Sequence, residues 1–193
     1  VFLESSELNA EALVPVRVSD DRILIRQGTV LFNLQDNGQL EDLAEGYGGG
    51  EIRSIDVQVI EEDGEVLEEF WTARPDGLYS SRDNFLYTTD SGMHTNNISD
   101  VAVDQLGVVW FATPTGIGRF RNNLFERLTE EITYRLIVDS NNRLWAATGS
   151  GLYFFDGADF VRASDVAGEE VCTRIARDVV INAVGQLYAA CED

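Results

Sequence analysis

The sequence predicts an all-β protein assembled from repeated units, and three observations support that prediction. A phrase centred on an aromatic or aliphatic residue recurs along the 193-residue chain. Its anchor residues are Leu24, Trp71, Trp110, Trp145 and Tyr188. Short runs rich in β-branched and aromatic residues lie between Gly, Asn, Asp and Ser clusters, and no long stretch keeps the apolar period of a helix. A unit of about 40 residues that repeats in this way is typical of repeat architectures.

The two clearest units, residues 98–129 and 134–164, show how one repeat is organised. Each begins with a short apolar run, followed by a polar turn and then by the Trp-containing run. A turn of small residues and two further runs complete the unit. Asp-Gly and Asn-Asn pairs supply the positive φ angles that tight hairpins need. Four short antiparallel strands per repeat form the blade of a β-propeller, so the predicted fold is a β-propeller of four-stranded antiparallel blades.

Equivalent positions in the repeats should have equivalent roles. We expect Trp71, Trp110, Trp145 and Tyr188 to lie at matching places on matching strands. Asp104 and Asp139 each end the first run of their unit. We expect these two carboxylates to cap turns rather than to bind Ca²⁺, because no glutamate follows at the spacing that a calcium loop requires.

The number of units raises the question of how the propeller closes. Four fairly complete units cover residues 14–47, 52–89, 98–129 and 134–164, and a fifth unit, residues 174–193, has only two strands. An unpaired strand edge invites aggregation. We therefore expect residues 1–8 to pair beside residues 187–191 and to close a ring of five blades. The alternative is that residues 1–193, predicted to be a single propeller domain, are a segment of a larger propeller.

Charge and hydropathy exclude some classes of partner. The formal net charge is −20, and all 14 basic residues are arginines. Nucleic acid is not an expected partner, because phosphate recognition requires a basic surface. The acidic surface is either simply solvated or a face for cations or a basic partner. No apolar run is long enough to span a membrane. The chain begins without Met, so either a signal peptide has been removed or the chain is an excised piece.

The two cysteines are Cys172 and Cys191. A hairpin in the last unit places Cys191 opposite Ala176, so a disulfide requires a bend at residues 171–174. The sequence leaves both the bridged and the free state open, and export from the cytoplasm would favour the bridge. The chain has no C-x-x-C motif, so neither zinc nor covalent haem is indicated, and we predict no metal and no cofactor.

Residues 92–129 resemble the two-component-regulator propeller repeat. The resemblance rests on Asn96-Asn97-Ile98, Asp104, Gly107, Trp110-Phe-Ala-Thr113 and Gly116-Ile-Gly118. Residues 134–164 are similar, with Asn142 where the family has glycine. The resemblance implies a β-propeller of the kind found in periplasmic sensor portions of hybrid histidine kinases, which detect carbohydrate breakdown products. A second similarity, to streptogramin-lyase-like propellers, rests on Trp110-Phe-Ala-Thr and Ile117-Gly-Arg.

Polar residues are expected to gather on one face of the propeller. This face contains the loops between the second and third strands and the connections between blades. The predicted ligand-binding residues there are Arg26, Arg53, Arg74, Asp76, His94, Asn96, Tyr134 and Arg174. Such a mixture suits a polar ligand such as a sugar or a carboxylate, although the same residues could merely solvate loops.

Three functions are compatible with these features. The first is a non-enzymatic, periplasmic or extracellular module that binds or senses a polar small molecule, an oligosaccharide or a protein partner. The second is a lyase or hydrolase that uses His94, the only histidine, with nearby carboxylates. The third is a structural scaffold that joins a larger assembly through the edges of its sheets.

Overall fold

A computed structural model describes residues 2–3, 14–19, 22–27, 30–43, 50–167 and 171–192 of the chain. Within these ranges the chain forms nineteen β-strands, a 3-10 turn at Thr89–Ser91 and one short helix, α1 (Ala163–Ala167). All strand pairings are antiparallel. The prediction of an all-β chain is confirmed.

The strands form five sheets that follow one another along the chain. The first contains β1 (Phe2–Leu3), β2 (Val14–Ser19), β3 (Arg22–Gln27), β4 (Val30–Leu34) and β5 (Leu40–Asp42). The second contains β6 (Ser54–Glu62), β7 (Glu65–Arg74), β8 (Gly77–Ser80) and β9 (Phe85–Tyr87). The third contains β10 (Asp100–Val103), β11 (Val109–Thr113), β12 (Gly116–Arg121) and β13 (Leu124–Arg127). The fourth contains β14 (Thr133–Val138), β15 (Leu144–Thr148), β16 (Gly151–Phe155) and β17 (Phe160–Arg162), and the fifth contains β18 (Ile175–Ile181) and β19 (Leu187–Glu192).

The hydrophobic core lies between successive sheets. The first strands of the second to fifth sheets, β6, β10, β14 and β18, pack against one another in that order, and we call them the inner strands. Phe111 is fully buried between the second and third sheets. Its ring lies directly against Gly118, where a Cβ atom would fall 2.1 Å from the ring, so this position requires glycine. Burial of these apolar faces is the main driving force for stacking one sheet on the next.

The anchor residues occupy equivalent positions, as predicted. Each lies on the second strand of its sheet, and the inner-strand residues opposite Trp71, Trp110, Trp145 and Tyr188 are Asp56, Ala102, Ile137 and Val180. Two of the tryptophans pack on an aromatic ring of the following sheet. Trp71 lies 5.6 Å from Phe120, and Trp110 lies 5.1 Å from Phe155, measured between ring centroids. Trp71 and Trp110 therefore join neighbouring sheets.

Asp104 caps the turn between β10 and β11. Its Oδ1 atom accepts hydrogen bonds from the backbone N–H groups of Leu106 and Val108, at 2.9 and 3.0 Å. Its Oδ2 atom accepts a hydrogen bond from the indole Nε1 of Trp110 at 3.0 Å. Asp139 makes the corresponding turn contacts and bonds Trp145 Nε1 at 2.9 Å. The prediction that both carboxylates serve turns is confirmed.

The expected closure of the ring is wrong for the part of the N-terminal segment that the structure describes. β1 pairs with β5, with Phe2 opposite Glu41 and Leu3 opposite Leu40, and not with β19. Residues 1 and 4–8 lie outside the described residues. The outer edge of β5 offers the same backbone groups as β19, and pairing with it closes a much shorter loop at a smaller entropic cost. Within the described residues no sheet is closed, and the five-bladed ring is not established.

A disulfide joins the fifth sheet to the segment that precedes it. The Cys172 and Cys191 sulfur atoms are bonded, and their Cα atoms lie 5.3 Å apart. Cys191 lies opposite Ala176 in the β18–β19 hairpin, where the sequence places it. Cys172 has a φ angle of 45°, and this left-handed residue makes the bend that brings its side chain back to β19.

Candidate functional site

Four polar residues share one register position on four consecutive inner strands. Each lies opposite the alanine that follows the anchor residue by two positions. The residues are Ser54, Asp100, Arg135 and Asp178, opposite Ala73, Ala112, Ala147 and Ala190. We call this set the polar row.

Arg135 lies between two carboxylates of the polar row. Its Nη1 atom is 3.5 Å from Asp100 Oδ1, and its Nε atom is 3.7 Å from Asp178 Oδ1. The Arg135 side chain is 40% exposed, whereas the Asp100 side chain is 2% exposed. The row thus alternates in charge along the three strands, and the accessible member of the Asp100–Arg135 pair is the cation.

Asp100 is an unusually buried carboxyl group. Its burial raises the pKa above the ordinary value. Arg135, a hydrogen bond with Ser54, and the backbone N–H groups of Leu136 and Val101 oppose that increase. The Leu136 N–H donates to Asp100 Oδ2 at 2.6 Å. Asp100 is therefore both a link to the next sheet and a carboxyl group with a shifted proton affinity.

Asp56 links inner strands in the same way, one sheet earlier. Its Oδ1 atom accepts a hydrogen bond from the Val57 N–H at 2.9 Å, and its Oδ2 atom accepts one from the Val103 N–H of β10 at 2.7 Å. Buried backbone N–H groups are costly to leave unpaired. Asp56 and Asp100 satisfy such groups on the next inner strand and fix the spacing of the strands around the polar row.

The inner strands line a partly open cavity of about 570 Å³, which we call the axial cavity. Strands β6, β10 and β14 line it, together with Ile181 of β18. The side chains that give it polar character are those of Ser54, Asp56, Asp100, Gln105, Arg135 and Ser140. This volume falls within the range of small-molecule sites, and the lining offers both hydrogen-bond donors and acceptors.

The predicted ligand-binding residues do not line this cavity, and several make local contacts instead. Arg53 Nη1 donates to Asn97 Oδ1 at 2.5 Å and to the Ile98 carbonyl oxygen at 3.2 Å. Arg74 is 5% exposed, and its Nε atom lies 3.1 Å from Asp76 Oδ1. These two arginines lie at the connections and turns where the sequence places them, but each already bonds a neighbouring residue.

His94 and Asn96 lie in the connection between the second and third sheets. His94 Nε2 is 3.2 Å from Thr113 Oγ1, and its ring stacks on Phe111 at 5.7 Å between ring centroids. Because the Thr113 hydroxyl donates to the Gly116 carbonyl oxygen, this contact requires His94 Nε2 to carry the proton. Asn96 Oδ1 accepts a hydrogen bond from the Thr89 N–H at 2.7 Å.

The remaining predicted residues are dispersed. The Arg177 guanidinium lies over the Tyr134 ring, 4.6 Å from its centroid. Arg174 is exposed in the segment before β18. Arg26 lies in β3, and its side chain is outside the described part of the chain. Ligand binding by the eight predicted residues stays a prediction.

The sequence prediction missed the polar row because it placed the ligand-binding residues in loops and connections between blades. Its signal in the sequence is weak but definite: Asp100-Val101 and Asp178-Val179 place an aspartate within otherwise apolar first runs. The register of the strands brings these residues together. Each pairs with the residue two positions after an anchor, so all of them lie on one row across the sheets.

Two further findings concern metal binding and membrane-spanning helices. Among the described residues, no group of three or more His, Cys, Asp or Glu side chains is placed to hold a metal ion. In the same residues, no helix is long and apolar enough to cross a membrane.

Comparisons with known proteins show a similar fold in solved structures. No protein-family model and no curated protein sequence matches the chain. The extracellular domain of BT3049 from B. thetaiotaomicron, assigned as a hybrid two component system, is similar with a TM-score of 0.57 and 18% identity, over 97% of this chain and 27% of that one. The extracellular domain of BT4673 from the same organism, with the same assignment, has a TM-score of 0.58 and 16% identity, over 94% and 31%.

The solved structure of a lyase is also similar in fold to this chain. Virginiamycin B lyase from Staphylococcus aureus has a TM-score of 0.60 and 12% identity, over 98% of this chain and 66% of the enzyme. The chain thus spans between 27% and 66% of the length of these three structures. At such low identities the likeness shows the fold alone. Together with the stacked antiparallel sheets, it makes this chain a propeller-like all-β protein.

Proposed function

We propose that this chain is the ligand-recognition part of a periplasmic or extracellular sensor, and that it binds a polar ligand without changing it chemically. The observation that carries this proposal is that three members of the polar row, Ser54, Asp100 and Arg135, line a cavity of about 570 Å³. The ligand is a polar small molecule or an oligosaccharide, because the lining combines a cation, carboxylates, hydroxyls and an amide.

The polar row is suited to hold such a ligand. The Arg135 guanidinium can donate to ligand oxygen atoms, and the Asp100 carboxylate, which lines the same cavity, can accept from a ligand hydroxyl group. Asp178, which is not part of the lining, contacts Arg135 from the next inner strand. The three side chains already interact, so they are partly positioned before the ligand arrives, and this lowers the entropic cost of binding. The proposal treats residues 1–193 as one domain, either complete or part of a larger propeller.

The sensing role and the location outside the cytoplasm are supported by two neighbours. Both are extracellular domains of proteins assigned to two component systems. The bond between Cys172 and Cys191 is consistent with an oxidising compartment.

A thermal-shift screen tests the proposal. Neutral and charged oligosaccharides and small polar metabolites are added to the full chain, and the unfolding temperature is measured. A ligand present at 100 times its dissociation constant stabilises the folded state by about 2.7 kcal/mol. We expect the ligand that stabilises the wild type to lose its effect on Arg135→Gln.

The matched control is Arg177→Gln. Arg177 also forms an ion pair, with Glu192 at 2.7 Å, and lies outside the axial cavity. This variant should respond to the ligand as the wild type does. A ligand that stabilises wild type and Arg135→Gln equally would show that the polar row is not the binding site.

The enzymatic alternative depends on His94. Burial, and to a smaller extent Arg127, lower the pKa of His94, which keeps the imidazole neutral and leaves Nδ1 as a potential base. One solved structure of the same lyase is a catalytically inactive variant in complex with quinupristin, with a TM-score of 0.53. If the chain is an enzyme, incubation with a ligand found in the screen will yield a product by mass spectrometry, and His94→Asn will abolish it.

A further inference from the structure

A second groove lies between the third and fourth sheets, at the strand ends remote from His94. It has a volume of about 400 Å³ and shares no lining residue with the axial cavity. The turns that form it join β10 to β11, β14 to β15, β12 to β13 and β16 to β17. Three arginines line it, namely Arg119, Arg121 and Arg143, and we call it the arginine groove.

Two of these arginines lack an acidic partner, which is unexpected in a chain with 34 acidic and 14 basic residues. Arg119 pairs with Glu126 at 2.5 Å. Arg121 and Arg143 form no ion pair and no side-chain hydrogen bond with any described residue. Most described arginines do form ion pairs, namely Arg53, Arg74, Arg82, Arg119, Arg127, Arg135 and Arg177.

Aromatic rings hold one of the free arginines in place. The Arg143 guanidinium lies 4.8 Å from the centroid of the Phe154 ring and 5.8 Å from that of Trp145. Cation–π contacts of this kind use the face of the guanidinium and leave its N–H groups free to donate. The neighbouring Asn142 Oδ1 accepts from the Gln105 N–H at 2.7 Å and ties the two hairpin turns together.

The carboxylates in the groove are already engaged. Asp104 accepts hydrogen bonds from the Trp110 indole and from two backbone N–H groups. Asp156 Oδ1 accepts from the N–H groups of Ala158 and Asp159, at 2.8 and 2.9 Å. These bonds hold both carboxylates within their own turns, and neither forms an ion pair with Arg121 or Arg143.

We propose that the arginine groove binds the oxyanion group of a small acidic ligand through Arg121 and Arg143. Guanidinium groups form paired, charge-assisted hydrogen bonds with carboxylate, sulfate and phosphate groups. The groove is already ordered by the Asn142 bridge and by the aromatic support of Arg143, which reduces the cost of binding. It is a separate site from the axial cavity and does not depend on the sensing proposal.

Arginine side-chain NMR tests this proposal directly. Sodium sulfate, inorganic phosphate and sodium benzoate are titrated separately into the full chain in a low-chloride buffer, while Nε–H signals are followed. At least one of the three anions should shift the Arg121 and Arg143 signals in a saturable manner. The anion with the highest affinity identifies the acid group that the groove prefers. Benzyl alcohol, which has no charge, should leave both signals unchanged.

Substitutions locate the site. Arg121→Gln and Arg143→Gln should each weaken binding by at least about tenfold, which corresponds to about 1.4 kcal/mol, because each removes charge-assisted hydrogen bonds to the anion. Arg82→Gln removes an exposed arginine outside the groove, which pairs with Glu62, and this variant should bind the anion as the wild type does. The proposal is overturned if no anion shifts the two signals, if binding survives in the Arg121→Gln/Arg143→Gln double variant, or if Arg82→Gln weakens it equally.

Discussion

At the scale of single residues, the anchor side chains and their turn partners match in hydrogen-bond chemistry. Asp104 precedes Trp110 by six residues and accepts from its indole N–H. In the fifth sheet Asn182 precedes Tyr188 by the same interval, and its Nδ2 atom donates to the Tyr188 hydroxyl at 3.4 Å. An indole can only donate, whereas a phenol can also accept. The anchor is therefore Trp where the turn residue accepts a hydrogen bond, as Asp104 does, and Tyr where the turn residue donates one, as Asn182 does.

His94 gives a direct prediction at the same scale. Burial lowers its pKa below the ordinary value of 6.5, and the nearby Arg127 lowers it further. As His94 is the only histidine, its ring signals in an NMR titration belong to one residue. We expect a midpoint below 6.5. Because the unfolded chain binds the proton more tightly, the contribution of neutral His94 to stability should be fully present above pH 6.5. It should be lost as the pH falls from 6.5 through the midpoint of the folded protein.

Arg127→Gln provides the comparison. Removing the charge should raise the midpoint without restoring it fully to the ordinary value, because burial is the larger cause. A midpoint at or above 6.5 in the wild type would contradict the packing of His94 against Phe111 and Thr113.

At the scale of elements, the inner strands alternate in charge at one register position. Asp100, Arg135 and Asp178 belong to three consecutive strands, and each aspartate lies next to the arginine. The carboxylates also bond backbone N–H groups, Leu136 in one case and Val179 in the other. The polar row thus contributes both to the contact between strands and to the lining of the axial cavity, so changes in it should alter stability together with binding.

The β18–β19 hairpin has only two strands in the described part of the chain, and a covalent bond ties it to the preceding segment. A disulfide that closes a loop of about 20 residues stabilises a protein by about 3 kcal/mol in the chain-entropy model. We expect Cys172→Ala and Cys191→Ala each to lower the free energy of unfolding by about this amount in urea denaturation.

The double variant is the control for this experiment. Either single substitution removes the whole bond, so Cys172→Ala/Cys191→Ala should lose little more stability than either single variant. Two free thiols in the intact mass of the non-reduced protein, or additive losses, would show that the bond is absent in solution.

At the scale of the whole molecule, charge is the dominant feature. A net charge of −20 on 193 residues produces repulsion that opposes the compact state. Salt screens such repulsion, with a Debye length of about 10 Å at 0.1 M and about 3 Å at 1 M. We therefore expect the unfolding temperature to rise when NaCl is increased from about 0.02 to about 0.5 M. A decrease would mean that the ion pairs contribute more to stability than the repulsion removes.

Much of this architecture could be predicted from the sequence because its determinants are local. The strands, the turns at Asp104 and Asp139, and the equivalence of the tryptophans all follow from patterns within one repeat. The pairing of β1 could not be predicted, because a two-residue strand carries no turn signal that fixes its partner. The axial cavity was also missed, since it depends on the register of four separate hairpins and on which charges then meet.

Alternation on the polar row limits how this chain could change its number of repeats. Duplication of the third unit alone would place two aspartates side by side at the same level, and duplication of the fourth alone would place two arginines there; like charges at such a distance repel. Duplication of residues 98–164, which carry Asp100 and Arg135, would add an aspartate and an arginine together and preserve the order of signs. Growth by this pair of sheets is therefore compatible with the interior, whereas growth by either of the two alone is not.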